Sequence, residues 1–428
     1  MIYMQSPSHC FQILSITFDC FRMVLDSNIG GKRMQKEYSL SKLLDLSAPE
    51  RESLGLAHTL HEILQQPQTW SRTFQRVLRL APPIDTFLQS GGIGTARQKS
   101  ANVYLVGAGT SDYIGKSVFA LLQREWACDV QAIPSTDLLT NMEDHIVPGQ
   151  SYLWISFSRS GDSSEGVAVL ERALELYPQI KHLIVTCNQH GKMARFFDGR
   201  ENVFCIVLDD EVNDRGLAMT SSFSNMVIVA QTLAHFRSLG VYGSIVETLG
   251  TSATLALPVV AGTCERLVNE GFTKVCFLGT GPLKGAAIES ALKVLELTGG
   301  RVMSFAESFL GLRHGPLSAI DSDTLVVAFL SADVRRRAFE LDLVYEICDK
   351  RLTTKCLIVS PETPETNDVL PTLSFDLQSE ISDLYLPPLM VLVGQMLGLY
   401  ASLREGLKPD DPSPQGAISR VVSHVTIH

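Results

Sequence analysis

Several devices that would fix a function at once are missing from this chain. None of its nine cysteines stands in a CxxC pair or at a zinc-site spacing, so neither a dithiol redox motif nor a cysteine zinc site is expected. The cysteines are scattered, several inside apolar runs such as VTCN and VFCIV, where cysteine behaves as a small hydrophobe. Reduced thiols in a cytoplasmic protein are the expectation. The dinucleotide fingerprint GxGxxG is absent, because Asp112 and Lys284 stand where its third glycine would be. There is no Walker A lysine motif either. The longest apolar runs, VIVAQTLAHF and LPPLMVLVGQMLGLY, carry polar residues or proline and are too short to span a bilayer, so no membrane partner is expected. Basic charge is the scarcer sign: 36 Lys and Arg against 46 Asp and Glu give a net charge of -10, which argues against a nucleic-acid surface. The first 33 residues lack the basic n-region and small-residue cleavage site of a signal peptide, and Asp19 and Arg22 interrupt their apolar stretch. They read either as an extension, bounded at 1–37, or as a product of a mis-set start with initiation at Met34.

What is present is a repeating alternation. A chain of 428 residues exceeds one core and suggests roughly two or three domains. Residues 40–92 carry apolar positions near a 3.6-residue period, in LGLAHTLHEILQQ and QTWSRTFQRVLRL, and Pro82-Pro83 is expected to stop the second helix. From there, short β-branched and aromatic runs alternate with helical ones. VYLVG (103–107), SYLWISFS (151–158), HLIVTCN (182–188) and VFCIVL (203–208) predict strands of a parallel sheet with helices on both faces.

The alternation then starts again. VYLVGAGTSDYIGKS begins at Val103 and VCFLGTGPLKGAAIES at Val275, 172 residues later, so that Gly107 and Gly109 fall on Gly279 and Gly281. TLVVAFLS (324–331) answers SYLWISFS. The chain reads as an α/β protein with two tandem copies of one αβα sandwich. A leader of helices at 38–94 precedes copies at 95–250 and 251–400 and a tail at 401–428.

The copies differ in their loops. The first has GTSDYIG after its opening strand and SRSGDSSE after the next; the second has GTGPLKG and SADVRR. A third hydroxyl-rich stretch, AMTSSFSNM, opens another helix of the first copy. Three Ser/Thr loops at strand ends and helix starts suit one anion, held by amides, the helix dipole and hydroxyls. Each loop taken alone is also an ordinary N-cap. With no lysine clamp or metal carboxylates, the anion should be a simple phosphoryl group. In the second copy, Glu289, Lys293 and Glu296 lie at i, i+4 and i+7 and share one helix face. The bland alternative is a solvated face with one salt bridge. His314 sits in an RHGP turn with Glu307 upstream.

Together these stretches resemble the SIS (sugar isomerase) family. GAGTS, SRSGDS and GTG…ESALKVLEL…HGPLSAI look like the phosphate loops and catalytic segment of the isomerase half of glucosamine-6-phosphate synthase. HEILQQPQTW, NDRGLAMTSSFSNM and the tail RVVSHVTIH are more similar still to the AgaS group of galactosamine-6-phosphate deaminases and tagatose-6-phosphate ketose/aldose isomerases. The resemblance covers about residues 38–428. It implies substrate contacts from Gly109, Thr110, Ser111, Ser158, Arg159, Ser160 and Ser163, with Thr220 and Ser221 matching the third loop less closely. It implies proton transfer between C1 and C2 by Glu296, ring opening by His314 from a neighbouring subunit, and Glu289 and Lys293 as polar neighbours of Glu296. Arg159 and Asp162 could equally point to solvent. Arg420 falls near the lysine that closes the synthase site; a guanidinium cannot do the amine chemistry of a lysine.

The resemblance implies an enzyme for a sugar-phosphate substrate, needing no metal or organic cofactor, and acting as a homodimer or a larger even homo-oligomer with shared sites. The leading expectation is a deaminating isomerase of galactosamine 6-phosphate. A non-deaminating tagatose-6-phosphate isomerase is the near alternative, and a sugar-phosphate sensor the distant one. Amide transfer from glutamine is disfavoured because no glutaminase domain precedes the first copy.

Overall fold

The predicted strands form, and the pleat explains why they are apolar throughout. The computed structural model describes residues 38–94, 101–197, 199–362, 370–377, 380–422 and 426–428. The readings of residues 1–37 and of Met34 as a start lie outside the described residues. Strands β1 (Asn102–Gly107), β2 (Val130–Pro134), β3 (Tyr152–Ser158), β4 (Lys181–Thr186) and β5 (Val203–Val207) make one parallel sheet in the order β2-β1-β3-β4-β5. Strands β6 (Lys274–Leu278), β7 (Met303–Glu307), β8 (Thr324–Phe329), β9 (Cys356–Ser360) and β10 (Thr372–Ser374) make a second, in the order β10-β9-β8-β6-β7. Counted from the other edge, the second order is the same doubly wound 2-1-3-4-5 winding as the first. The duplication seen in the sequence is therefore a duplication of topology.

The helices are α1 (Leu40–Asp45), α2 (Ala48–Leu54), α3 (Thr59–Leu64), α4 (Gln66–Arg79) and α5 (Ala81–Ser90) in the leader. Around the first sheet come α6 (Thr110–Trp126), α7 (Ser135–His145), α8 (Ser164–Leu176), α9 (Lys192–Phe197) and α10 (Ser221–Ala234), followed by the long α11 (Leu239–Glu270). The second sheet has α12 (Pro282–Leu297), α13 (Phe309–Leu312), α14 (Val334–Asp349) and α15 (Pro387–Arg404). As expected, α4 ends at Arg79, just before Pro82-Pro83. The same pair opens α5, because proline in the first turn costs no intrahelical hydrogen bond.

Alternate residues of each strand enter different cores. Val103 and Leu105 of β1, and Val275 and Phe277 of β6, belong to one continuous hydrophobic cluster. Tyr104 and Val106 face a separate outer cluster on the first sheet, and Cys276 and Leu278 another on the second. The two sheets thus share a central helical layer in which α12 packs on α6 and α15, and α4 and α10 pack on each other. The boundary expected near 250 falls inside α11, a single helix of 32 residues. By length and composition this helix could cross a bilayer, with a mean hydropathy of 1.4 over 18 residues. That corrects the expectation that no apolar run is long enough. Its buried side, including Tyr242, Leu249 and Val260, packs against α4 and α15.

Both GxG turns take the same strained path from strand to helix. Gly109 and Gly281 have φ of 55° and 58° with ψ of −126°, a region open essentially to glycine. At Gly285, a Cβ would stand 2.6 Å from Ser117 Oγ and 2.7 Å from its amide nitrogen. The missing side chain lets α12 of the second domain cross α6 of the first at backbone contact. That approach sets the site.

Candidate active site

The carboxyl ends of β1 and β3 diverge at the switch point of the first sheet, where open α/β sheets place their ligands. A cavity of about 150 Å³ opens there. Gly107 and Ser111 come from the first turn, and Ser158, Arg159, Ser160 and Ser163 from the serine-rich corner. Met219 and the C-terminal segment Arg420–Val422 complete much of the wall, and Glu165 brings a carboxylate to it. Of the residues matched to substrate loops, Ser111, Ser158, Arg159, Ser160 and Ser163 line this cavity; Gly109, Thr110, Thr220 and Ser221 do not.

The corner is shaped by its own hydroxyls. Ser158 Oγ accepts from the Gly161 amide at 3.0 Å, and Ser160 Oγ accepts from the Asp162 amide at 3.2 Å. A hydroxyl that accepts in this way keeps its own hydrogen to donate. Asp162 is not a free surface carboxylate. It accepts from the Lys192 amide at 2.9 Å and so caps the start of α9.

The third hydroxyl loop serves a different anion. The Asp214 carboxylate accepts from the amides of Thr220, Ser221 and Ser222, each at 2.9 Å, and from the hydroxyls of Thr220 and Ser222. All three hydroxyl residues are fully buried. The dipole at the N-terminus of α10 is therefore answered by the chain itself, and the expected substrate contacts of Thr220 and Ser221 are corrected to an internal cap. Asp214 lies six residues before Thr220, outside any local capping pattern, which is why spacing did not find it.

The second domain shows the same replacement at its own switch point. The Ala332 amide donates to Asp383 Oδ1 at 2.7 Å, Ser331 Oγ donates to the same carboxylate, and the Ser331 amide donates to Glu340 at 2.7 Å. Where the first domain opens a cavity, the second holds its own carboxylates.

The Glu289–Lys293–Glu296 face is the opposite of a solvated one. Glu289 and Lys293 are fully buried, and Glu296 is the partly exposed member. The Lys293 ammonium has three acceptors: Glu296 Oε2 at 2.5 Å, Thr110 Oγ1 at 3.0 Å and Glu289 Oε1 at 3.3 Å. Thr110 Oγ1 in turn faces Glu289 Oε1 at 3.4 Å. Thr110 thus belongs to the junction of the two domains, at the head of α6. Burial pushes the Glu289 carboxyl up to about 8, against the pull of Lys293. Burial alone would lower Lys293, but Glu289 and Glu296 outweigh it and raise the ammonium. The charge of Glu296 reaches Arg159, so the carboxylate and the serine corner lie within electrostatic range. His314 is exposed in the turn after α13 and does not line the cavity.

The SIS domain family model matches residues 97–236, which include the first turn and the serine corner. The AgaS protein of Streptomyces coelicolor is 36% identical over 87% of this chain and 95% of its own length. The chain belongs to the AgaS family. Another member, the D-galactosamine-6-phosphate deaminase AgaS of Shewanella sp. strain ANA-3, is 33% identical over 92% of this chain and 97% of its own. The crystal structure of tagatose-6-phosphate ketose/aldose isomerase from Escherichia coli superposes with a TM-score of 0.78 at 32% identity, over 86% of this chain and 96% of that one. The expected tandem SIS architecture and the enzyme class of this AgaS chain agree with these relatives.

Proposed function

We propose that this chain is a deaminating aldose–ketose isomerase, converting galactosamine 6-phosphate and water to tagatose 6-phosphate and ammonia. The observation that carries the reading is the meeting of two unlike halves at one junction. A serine-lined cavity in the first domain suits a phosphoryl group, and a buried Lys293 holds Glu296 of the second domain, outside the cavity lining but within electrostatic reach of Arg159 in its wall. Relatives named D-galactosamine-6-phosphate deaminase supply the substrate class.

The chemistry rests on the residue types. Ser111, Ser158, Ser160 and Ser163 hold the phosphate, and Arg159 and Arg420 add positive charge to the same wall. His314, from a second copy of the chain, moves the proton that opens the sugar ring. Glu296 takes the proton from C2 and returns it to C1, as a positioned general base can. The double bond passes from C1–O through an enolamine to C2–N. Water then adds to the C2 imine and ammonia leaves, so atoms balance without an oxidant. Lys293 holds Glu296 in place, and Glu289 holds Lys293. A shared site requires a dimer or larger even oligomer, and a cytoplasmic location belongs to the same proposal.

Ammonia release from a panel of hexosamine 6-phosphates tests the reading. Glu296→Gln should lower kcat by about 10² to 10⁴, the contribution of one positioned acid–base group, with KM little changed. Interconversion of tagatose 6-phosphate with its aldose, and no ammonia from any amino sugar, would favour the second reading. That reading is a non-deaminating ketose/aldose isomerase, the name carried by the Escherichia coli structural relative.

A further inference from the structure

Arg159 is 5% exposed, yet among the described residues its acceptors are all backbone carbonyls: Leu217 at 3.1 Å, Gly216 at 3.4 Å, and Arg420. A buried guanidinium is ordinarily matched by a carboxylate. Carbonyl dipoles orient Arg159 but carry no net charge, and the side chain lines the cavity. Its charge is therefore available there to an anion.

The three carbonyls belong to two separate segments, the 213–217 loop and the C-terminal tail. Those segments are also tied to each other. Arg420 Nε donates to the Asp214 carbonyl at 2.8 Å, and Arg420 Nη2 donates to Asn213 Oδ1 at 2.9 Å. Beyond Arg420, the Val422 carbonyl accepts from the Ser164 amide at 3.3 Å, at the head of α8. Corner, loop and tail therefore form a closed cycle of hydrogen bonds, and the corner joins it through Arg159.

We infer that Arg159 is a positioning residue that couples a phosphoryl group in the serine corner to the placement of the Arg420–Val422 segment over the cavity. The inference rests on the phosphate reading of that cavity. The Asp214 and Glu296 carboxylates act on Arg159 only through space, and neither bonds it among the described residues; a dianion entering the corner contacts and restrains the guanidinium directly. The restrained guanidinium then fixes the Arg420 carbonyl. The coupling is reciprocal, so a fixed tail must also strengthen phosphate binding. Lysine in this place would keep the charge but lose the planar fork that spans three carbonyls.

Hydrogen–deuterium exchange on the full chain, with inorganic phosphate and then galactosamine 6-phosphate as probes, reads the coupling directly. In the wild type, either probe should slow exchange across residues 413–422 by roughly tenfold, within the usual range of coupling between linked sites. Arg159→Lys keeps the charge but should lose most of that slowing and, by the same reciprocity, bind inorganic phosphate up to about tenfold more weakly. Arg159→Gln should weaken phosphate binding by about tenfold or more and show no slowing. Slowing of wild-type size in Arg159→Lys, or phosphate binding by the wild type without slowing, overturns the inference. Should Arg159→Gln fail to fold, Arg159→Lys against wild type decides alone. A wild type that slows with phosphate but releases no ammonia sinks the deaminase reading and leaves the coupling standing. A wild type that binds neither probe removes the phosphate corner and the coupling together.

Discussion

Replacing Glu289 by glutamine should stabilise the chain at neutral pH. The carboxyl is fully buried, and its Oε2 has no hydrogen-bond partner, as suits a protonated oxygen better than an ionised one. Burial raises the group from 4.5 to about 8 in the folded chain. An unfolded chain ionises it near the ordinary value. Because the folded value is the higher one, the stabilising contribution is complete below about 4.5 and is lost as pH rises towards 8. At about 1.4 kcal/mol per unit, the rise from 4.5 to 7 removes about 3 kcal/mol from the wild type. Glutamine titrates in neither state and so avoids the loss. The difference between variant and wild type should be near zero at pH 4.5 and grow to about 3 kcal/mol in favour of the variant at pH 7. Were Glu289 ionised in the fold, the same substitution would break a buried ion pair and destabilise by roughly 3–5 kcal/mol. The two cases differ in sign. Urea unfolding of both proteins at pH 5, 6, 7 and 8 measures the difference. A lower midpoint for Glu289→Gln at pH 7, at an unchanged m-value, refutes the reasoning.

Two contrasts test the rest of the site. Thr220→Val removes a hydroxyl bond to the buried Asp214 carboxylate and should cost about 1.5–3 kcal/mol of stability, leaving KM unchanged. Ser158→Ala should do the reverse, raising KM for the sugar phosphate with a smaller effect on the unfolding midpoint; kinetics and urea melts on the pair read both. Mixing inactive His314→Ala and Glu296→Gln chains should restore part of the activity if one subunit supplies the histidine and another the carboxylate, and no recovery counts against a shared site.

Sequence reasoning reached what repeats and what is apolar. The strands at 103–107, 151–158, 182–188, 203–208 and 324–331 were legible because parallel strands buried on both faces read as unbroken apolar runs. The strands β2, β7, β9 and β10 escaped it, β9 although Cys356–Ser360 is buried throughout. Val130–Pro134 is buried only at Val130 and Ile133 at a sheet edge, and Met303–Glu307 is only partly buried. The serine corner was legible from composition, but the work of each hydroxyl was not. AMTSSFSNM and SFSRSGDSSE look alike as strings; one closes on Asp214 and the other opens on a cavity. What separates them is a carboxylate brought in by the path of the 213–217 loop, which no local period encodes. Arg159 posed the same difficulty. A single arginine between serines reads as a surface residue until its three carbonyl partners, 57, 58 and 261 positions away, are seen.

The carboxylates at the second switch point have a consequence for how a duplicated chain ages. A pocket that evolved to hold a diffusible anion must stay open and tolerate uncompensated donors whenever it is empty. With Asp383 in that place and Arg336 3.0 Å away, the occupant is a side chain of the copy itself. Its concentration can never fall, and it can never be exchanged. Its bonds to Ser331, Ala332 and Arg336 contribute to folding and not to ligand binding. Truncating Asp383 would leave the Ser331 hydroxyl, the Ala332 amide and Arg336 without that acceptor, a place that a free anion could fill.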